Sequence, residues 1–201
     1  MKLRVAALFL VAALTLVGCY LPASFDAQIE FSRNGLYKMD FDGYIVDVNL
    51  YNDLRQPGKV SPDEEKTRVA HVIDDFKRDA DTRDVSYFGK GAFHVVWSKN
   101  GDITQNNSKM ITFFQRNEEM LSVTYNENAH TVTIAGKYIK KEDAKRIQDM
   151  GLDIKGIIRI KTDAQVKSHN AQKVITEGAV RTFYWELKSA TDTAPKMVIP
   201  F

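Results

Sequence analysis

The stretch that most constrains this chain is a pair of alternating runs joined by Asn34-Gly35. Phe25, Ala27, Ile29 and Phe31 recur at every second position, and Leu36 to Phe41 follows the turn. A period of two gives an extended chain one apolar and one polar face. Asn-Gly supplies the positive φ angles that a tight hairpin needs. A chain that opens this way must build a sheet with one buried face. Tyr44, Val46, Val48 and Leu50 continue the period, on a further strand or on an extension of the second one past Gly43. Arg55-Gln56-Pro57-Gly58 then breaks the pattern.

The next segment changes period. Ser61-Pro62-Asp63-Glu64 combines an N-cap hydroxyl, a proline at the first helical position and a glutamate at the third, the signature of a capping box. Val69, Val72, Ile73, Phe76 and Ala80 recur at three and four, so the spacing predicts an amphipathic helix from Pro62 to about Asp79. Asp74, Asp75, Asp79, Asp81 and Asp84 lack the glycine and closing glutamate of a calcium loop and read as a solvated acidic face.

Short strands follow. Phe93, Val95 and Trp97 alternate up to a turn at Lys99-Asn100-Gly101-Asp102; Met110 to Gln115 and Leu121 to Tyr125 flank Arg116-Asn117-Glu118-Glu119; Thr131 to Ala135 comes next. These four runs read as an antiparallel meander. Lys141 to Met150 is a short helix closed by Gly151. Ile154, Ile158 and Ile160 form a strand with Lys155, Arg159 and Lys161 opposite, and Val174 to Thr176 with Val180 to Leu187 make a last hairpin around Glu177-Gly178. Helices are too few for repeating βαβ units. The expected class is α+β, a mostly antiparallel sheet with one long amphipathic helix and one short helix.

The first nineteen residues differ from the rest. Met1-Lys2-Leu3-Arg4 is a cationic start, Val5 to Val17 is apolar apart from Thr15, and Gly18-Cys19 closes the run. This is the pattern of an export signal, shorter than the roughly 20 residues a spanning helix needs. Leu16-Val17-Gly18-Cys19 resembles the lipobox of bacterial lipoprotein signal peptides. The resemblance implies a diacylglyceryl thioether on Cys19, cleavage between Gly18 and Cys19, and acylation of the new amino terminus by palmitate-like chains. Residues 1–18 are then a lipoprotein signal peptide and residues 19–201 a single lipid-anchored α+β domain. At about 0.8 kcal/mol per buried CH₂, two or three chains hold a protein on a leaflet where one does not. The C-terminal Lys196-Met197-Val198-Ile199-Pro200-Phe201 is too short to cross a bilayer. Tyr20 is not the aspartate that such lipoproteins use for inner-membrane retention, which implies the periplasmic face of the outer membrane in a Gram-negative host.

Charge narrows the partners. The 28 Lys+Arg and 26 Asp+Glu give +2, but Lys2 and Arg4 precede Cys19, so 26 of each sign remain after it. A balanced domain argues against nucleic acid. Cys19 is the only cysteine, which removes disulfides and thiolate metal clusters.

The search for chemistry gives no catalytic, cofactor or metal residues. His71, His94, His130 and His169 lie too far apart in sequence for a zinc motif. No G-x-S-x-G elbow occurs. Phe88-Gly89-Lys90-Gly91 lacks phosphate-loop spacing and reads as a turn between two strands. Asn106-Asn107-Ser108 matches a glycosylation acceptor, which means little in a bacterial lipoprotein. The abundant aromatics fall where a core needs them, although an apolar groove between helix and sheet would suit acyl chains or peptides. Lys155, Arg159, Lys161 and Lys167 form a basic face able to meet anionic headgroups.

Gly156 to Ala171 with the hairpin reaching Phe183-Tyr184-Trp185-Glu186-Leu187, and the opening Ala27 to Leu36, resemble LppM-type bacterial envelope lipoproteins over about a quarter of the mature chain. The resemblance implies a lipid-anchored, non-enzymatic α+β domain with lipid or glycolipid binding as a role. This chain lacks the C-terminal membrane span of the actinobacterial members, and no binding residues carry over. The expected function is a non-catalytic binding or structural module for a lipid, glycan or envelope-protein partner. The alternative is an envelope hydrolase whose site gathers distant residues, such as His94 or His169 with nearby carboxylates.

Overall fold

A computed structural model describes residues 20–105, 109–114, 121–137 and 139–201. The chain opens with β1 (Tyr20–Phe31) and β2 (Leu36–Asp47), then α1 (Val48–Leu54) and α2 (Pro62–Lys77). Strands β3 (Thr82–Gly89), β4 (Ala92–Asp102), β5 (Met110–Thr112), β6 (Ser122–Asn126) and β7 (Thr131–Ala135) lead to α3 (Lys141–Asp149). The last strands are β8 (Lys155–Thr162), β9 (Ser168–His169), β10 (Lys173–Glu177), β11 (Val180–Leu187) and β12 (Lys196–Pro200). They form a seven-stranded sheet, β10-β11-β8-β1-β2-β4-β3, and a five-stranded one, β5-β6-β7-β12-β9.

The opening hairpin forms, with Phe31 opposite Tyr37, but its connection is four residues, 32–35, and of the Asn34-Gly35 pair only Gly35 takes a positive φ, 89°. The strand does not stop at Gly43; it runs on to Asp47 as one element. Phe25, Ala27, Ile29 and Phe31 face the core together with Met39, Phe41, Phe93, Val95 and Trp97. On the opposite face Asp26, Gln28, Lys38, Asp40 and Asp42 meet solvent. Buried residues of both sheets join in one core, where Phe114 packs edge-on against Phe41 at 4.9 Å and against Phe76 at 5.8 Å.

The expected α+β class is broadly consistent with the structure, but its description as one mostly antiparallel sheet with one long amphipathic helix and one short helix is overturned. Strands hold 49% of the described residues and helices 19%, so the protein is mostly β. The sheets are two, and β1 pairs with β8 in parallel. The helices are three, of 7, 16 and 9 residues. Helix α2 starts where the capping residues place it, with Ser61 Oγ accepting from the Glu64 amide at 3.2 Å. It ends at Lys77 and buries only Val72 and Phe76, while Ala80 lies beyond it and is exposed. Val48 and Leu50 belong to α1 rather than to a strand, because the Asp47 carboxylate accepts the Leu50 amide at 2.9 Å and caps a helix there.

The meander is also redistributed. β5, β6 and β7 pair antiparallel in the smaller sheet, whereas β4 lies in the larger one. Asn100-Gly101 is strand, not turn, with Gly101 opposite Tyr37; a β-carbon there would lie 2.7 Å from the tyrosine oxygen. The segment 115–120 that separates β5 from β6 is outside the described residues, as is the acceptor pattern at 106–108.

Candidate functional site

Cys19, the lipidation residue expected from the sequence, lies outside the described residues together with the whole of 1–18. The residue after it is described, and it fixes where the chain enters the domain. Tyr20 is the first residue of β1, across from Asp47, and its ring packs on Phe76 at 5.3 Å. The Asp47 amide donates to the Gly91 carbonyl at 2.9 Å. Tyr20, Asp47 and Gly91 therefore lie in a row along one rim of the large sheet.

Gly91 belongs to the tip of the β3–β4 hairpin. Lys90 at φ 52° and Gly91 at φ 74° form a two-residue turn with both angles positive, the twist-matched type that tight hairpins prefer. A β-carbon on Gly91 would sit 2.8 Å from the Tyr51 backbone nitrogen, so the tip lies directly against the start of α1. The Gly91 amide donates to the Tyr87 hydroxyl at 3.1 Å, and that hydroxyl donates to Glu65 at 2.5 Å. Burial, then the bond to Glu65, raises the Tyr87 hydroxyl above its ordinary pKa. Tyr87 thus ties the hairpin tip to α2 as a neutral donor.

Between Tyr87 and Gly89 the β3–β4 register slips, leaving Phe88 as an extra residue. A bulge of this kind re-aims a side chain. Phe88 is 72% exposed, and its ring meets Tyr44 edge-on at 5.0 Å on the polar face of the sheet. The turn, Lys90-Gly91, lies within the 88–91 segment that the sequence assigns to it, while Phe88 and Gly89 belong to β3. The exposure of Phe88 is not apparent from sequence, and the one signal is that Val85, Tyr87 and Phe88 break the alternation.

The histidines stay apart. His71 is exposed on α2, in an open depression that residues of this helix alone line, among them Lys66, Ala70 and Asp74. His94 Nε2 lies 2.8 Å from Asp42 Oδ1 on the open sheet face. Its neighbour across the ladder is Ser86. His130 sits at the β6–β7 turn, and His169 packs edge-on against Phe183 at 4.8 Å while its Nδ1 accepts the Ala171 amide. Among the described residues no group of three or more histidines, cysteines or carboxylates is arranged to hold a metal. No helix among them is long and apolar enough to cross a membrane.

The basic face is broken up by its surroundings. Arg159 pairs with Asp26 and also donates to Gln28. Lys155 is exposed opposite Ser24, four residues along β1 from Tyr20, whereas Lys161 lies opposite Glu30 near the far end of β1. At about 3.3 Å per residue, Lys155 and Lys161 stand roughly 20 Å apart.

No protein family and no curated protein matches the chain. Among solved structures, the chain is similar to the folded domain of the Mycobacterium tuberculosis protein LppM, determined by NMR, with 14% identity. The match covers 89% of this chain and 90% of that one, at a TM-score of 0.42.

Proposed function

We propose that the protein is a lipid-anchored lipoprotein of the bacterial envelope whose folded domain is a non-catalytic binding or structural module. The observation that carries this reading is the placement of Leu16-Val17-Gly18-Cys19 immediately before the first core strand, with Tyr20 already paired in β1. Acyl chains on residue 19 would hold the sheet rim against the leaflet with no intervening linker. In a Gram-negative host the sorting residue Tyr20 directs it to the periplasmic face of the outer membrane. The partner class is a lipid, a glycan or an envelope protein.

The test is Cys19→Ser in the full chain. The reading expects loss of fatty-acid labelling and release of the protein from the membrane fraction. Labelling and sedimentation identical to the parent overturn it.

The contact between His94 and Asp42 favours a second reading, an envelope hydrolase. Both side chains are open to water, at 29% and 65% exposure, whereas hydrolytic sites gain from excluding it. Hydrolysis of ester or glycoside probes by the parent chain, abolished in His94→Gln, would support this reading over the first.

A further inference from the structure

A single exposed phenylalanine carries no meaning by itself, since isolated apolar residues are common on protein surfaces. Phe88 differs because of its position. It stands on β3, an edge strand, beside the hairpin tip that touches Asp47, and Asp47 is the ladder partner of Tyr20. With strands about 4.8 Å apart, three strand spacings separate β1 from β3, so the chain enters the domain within about 15 Å of Phe88. An acyl chain at Cys19 would bring the leaflet surface to the same rim.

The chemistry at the rim suits that surface. Phe88 rests on Tyr44, an aromatic pair with an apolar body and one hydroxyl, the combination that settles where hydrocarbon meets headgroups. Lys90 is exposed at the turn. A cation placed there adds attraction to anionic headgroups within a Debye length. The far end of the sheet, with Asn34-Gly35 and Gly178, is about 35 Å away along β1. Edge strands are normally protected by charge or by a covering element, and Phe88 is the most exposed large apolar side chain among the described residues, at 72% ahead of Leu36 at 52%.

We infer that the Phe88–Lys90 hairpin tip is a second membrane contact, with the Phe88 ring seated at the headgroup–acyl boundary of the leaflet that holds the Cys19 anchor. The inference rests on the lipid-anchor reading above. Anchor and tip together would fix the orientation of the domain, presenting the far sheet end and the smaller sheet to the aqueous compartment. An anchor alone would leave the domain free to swivel.

The test uses the full, lipidated chain in vesicles of phosphatidylethanolamine and phosphatidylglycerol carrying brominated acyl chains, which quench tryptophan on contact. Trp97 and Trp185 are each 1% exposed, so the parent protein supplies their constant background. Phe88→Trp places a reporter at the tip, and Ala179→Trp places one at the exposed far turn. The inference expects loss of most of the added emission at position 88 and none at 179. Vesicle-bound protein with both reporters unquenched overturns the tip contact and leaves the anchor standing. A blue-shifted, unquenched reporter at 88 assigns the tip to a protein neighbour and also overturns it. Protein that neither incorporates fatty acid nor floats with vesicles overturns anchor and tip together.

Discussion

Phe25 stands directly across the ladder from Gly43, and a β-carbon on that glycine would lie 2.5 Å from the Phe25 β-carbon and 2.6 Å from the Ser24 carbonyl oxygen. On its other side Phe25 faces Gly156, where a β-carbon would lie 2.7 Å from the ring. The aromatic side chain fills the space that two glycines leave open, which packs positions that would otherwise weaken a strand. Gly43→Ala pushes against backbone as well as side chain and should cost about 1–3 kcal/mol. Urea unfolding checks it: the midpoint should fall with an unchanged slope, and an unmoved midpoint would show that β1 and β2 can shift apart freely.

Trp97 is buried, and its indole N–H donates to Asp79 Oδ2 at 3.0 Å; the other carboxylate oxygen accepts the Asp81 amide at 3.0 Å. Asp79 is 8% exposed, so it is a buried acceptor and not part of the solvated acidic face its sequence neighbours suggest. Asp79→Ala strands a buried donor, which costs about 1–3 kcal/mol. Asp79→Asn keeps one acceptor oxygen and should lose less. Equal urea midpoints for the two variants would contradict this account.

What the sequence makes legible is what short-range rules determine. The hairpins at Asn34-Gly35 and Glu177-Gly178 and the start of α2 at Ser61-Pro62 lie where their turn and cap residues indicate. The misses come from distant partners. Asn100-Gly101 has the composition of a turn, yet Tyr37 on a neighbouring strand occupies the space beside the glycine and the ladder continues. Lys196–Pro200 is read from sequence only as too short to cross a bilayer, but it is a strand that fits between β7 and β9 and buries Met197 and Ile199. The parallel pairing of Ser24 with Lys155 leaves no local trace. The candidate site divides the same way: the motif ending at Cys19 is written in consecutive residues, while the exposure of Phe88 depends on a bulge against β4.

Asp53 links the end of α1 to its surroundings, with Lys59 at 2.7 Å and Arg68 at 2.8 Å. Hydrogen bonds from Lys59 and then Arg68 hold its carboxyl below the ordinary 3.8. A carboxylate lowered on folding contributes stability above its unfolded pKa, and loses it as pH falls through the lower folded value. The stability difference between the parent and Asp53→Asn should therefore be present at pH 7 and vanish in acid below both values. It should not exceed about 1 kcal/mol, because the group faces solvent, and added salt should shrink it. Urea unfolding across this pH range decides; a difference that grows in acid would reverse the sign argued here.

Asn170 joins the two sheets. Its side-chain oxygen accepts the Trp185 indole N–H at 2.9 Å from β11 and the Lys196 amide at 2.7 Å from β12, while its amide nitrogen donates to the Ala194 carbonyl at 2.8 Å. Trp185 is 1% exposed, so water cannot easily replace the lost acceptor. Asn170→Ala should cost about 1–3 kcal/mol, and the loss should appear first in β12, where the smaller sheet is tied to the large one. Asn170→Asp retains an acceptor for both donors and gives up only the bond to Ala194, so it should cost less. Amide hydrogen exchange separates a local from a global effect: in the alanine variant, exchange from residues 196–199 should accelerate more than exchange from β1 and β2. Unchanged protection in β12 together with an unmoved urea midpoint would mean that the shared core alone holds the smaller sheet in place.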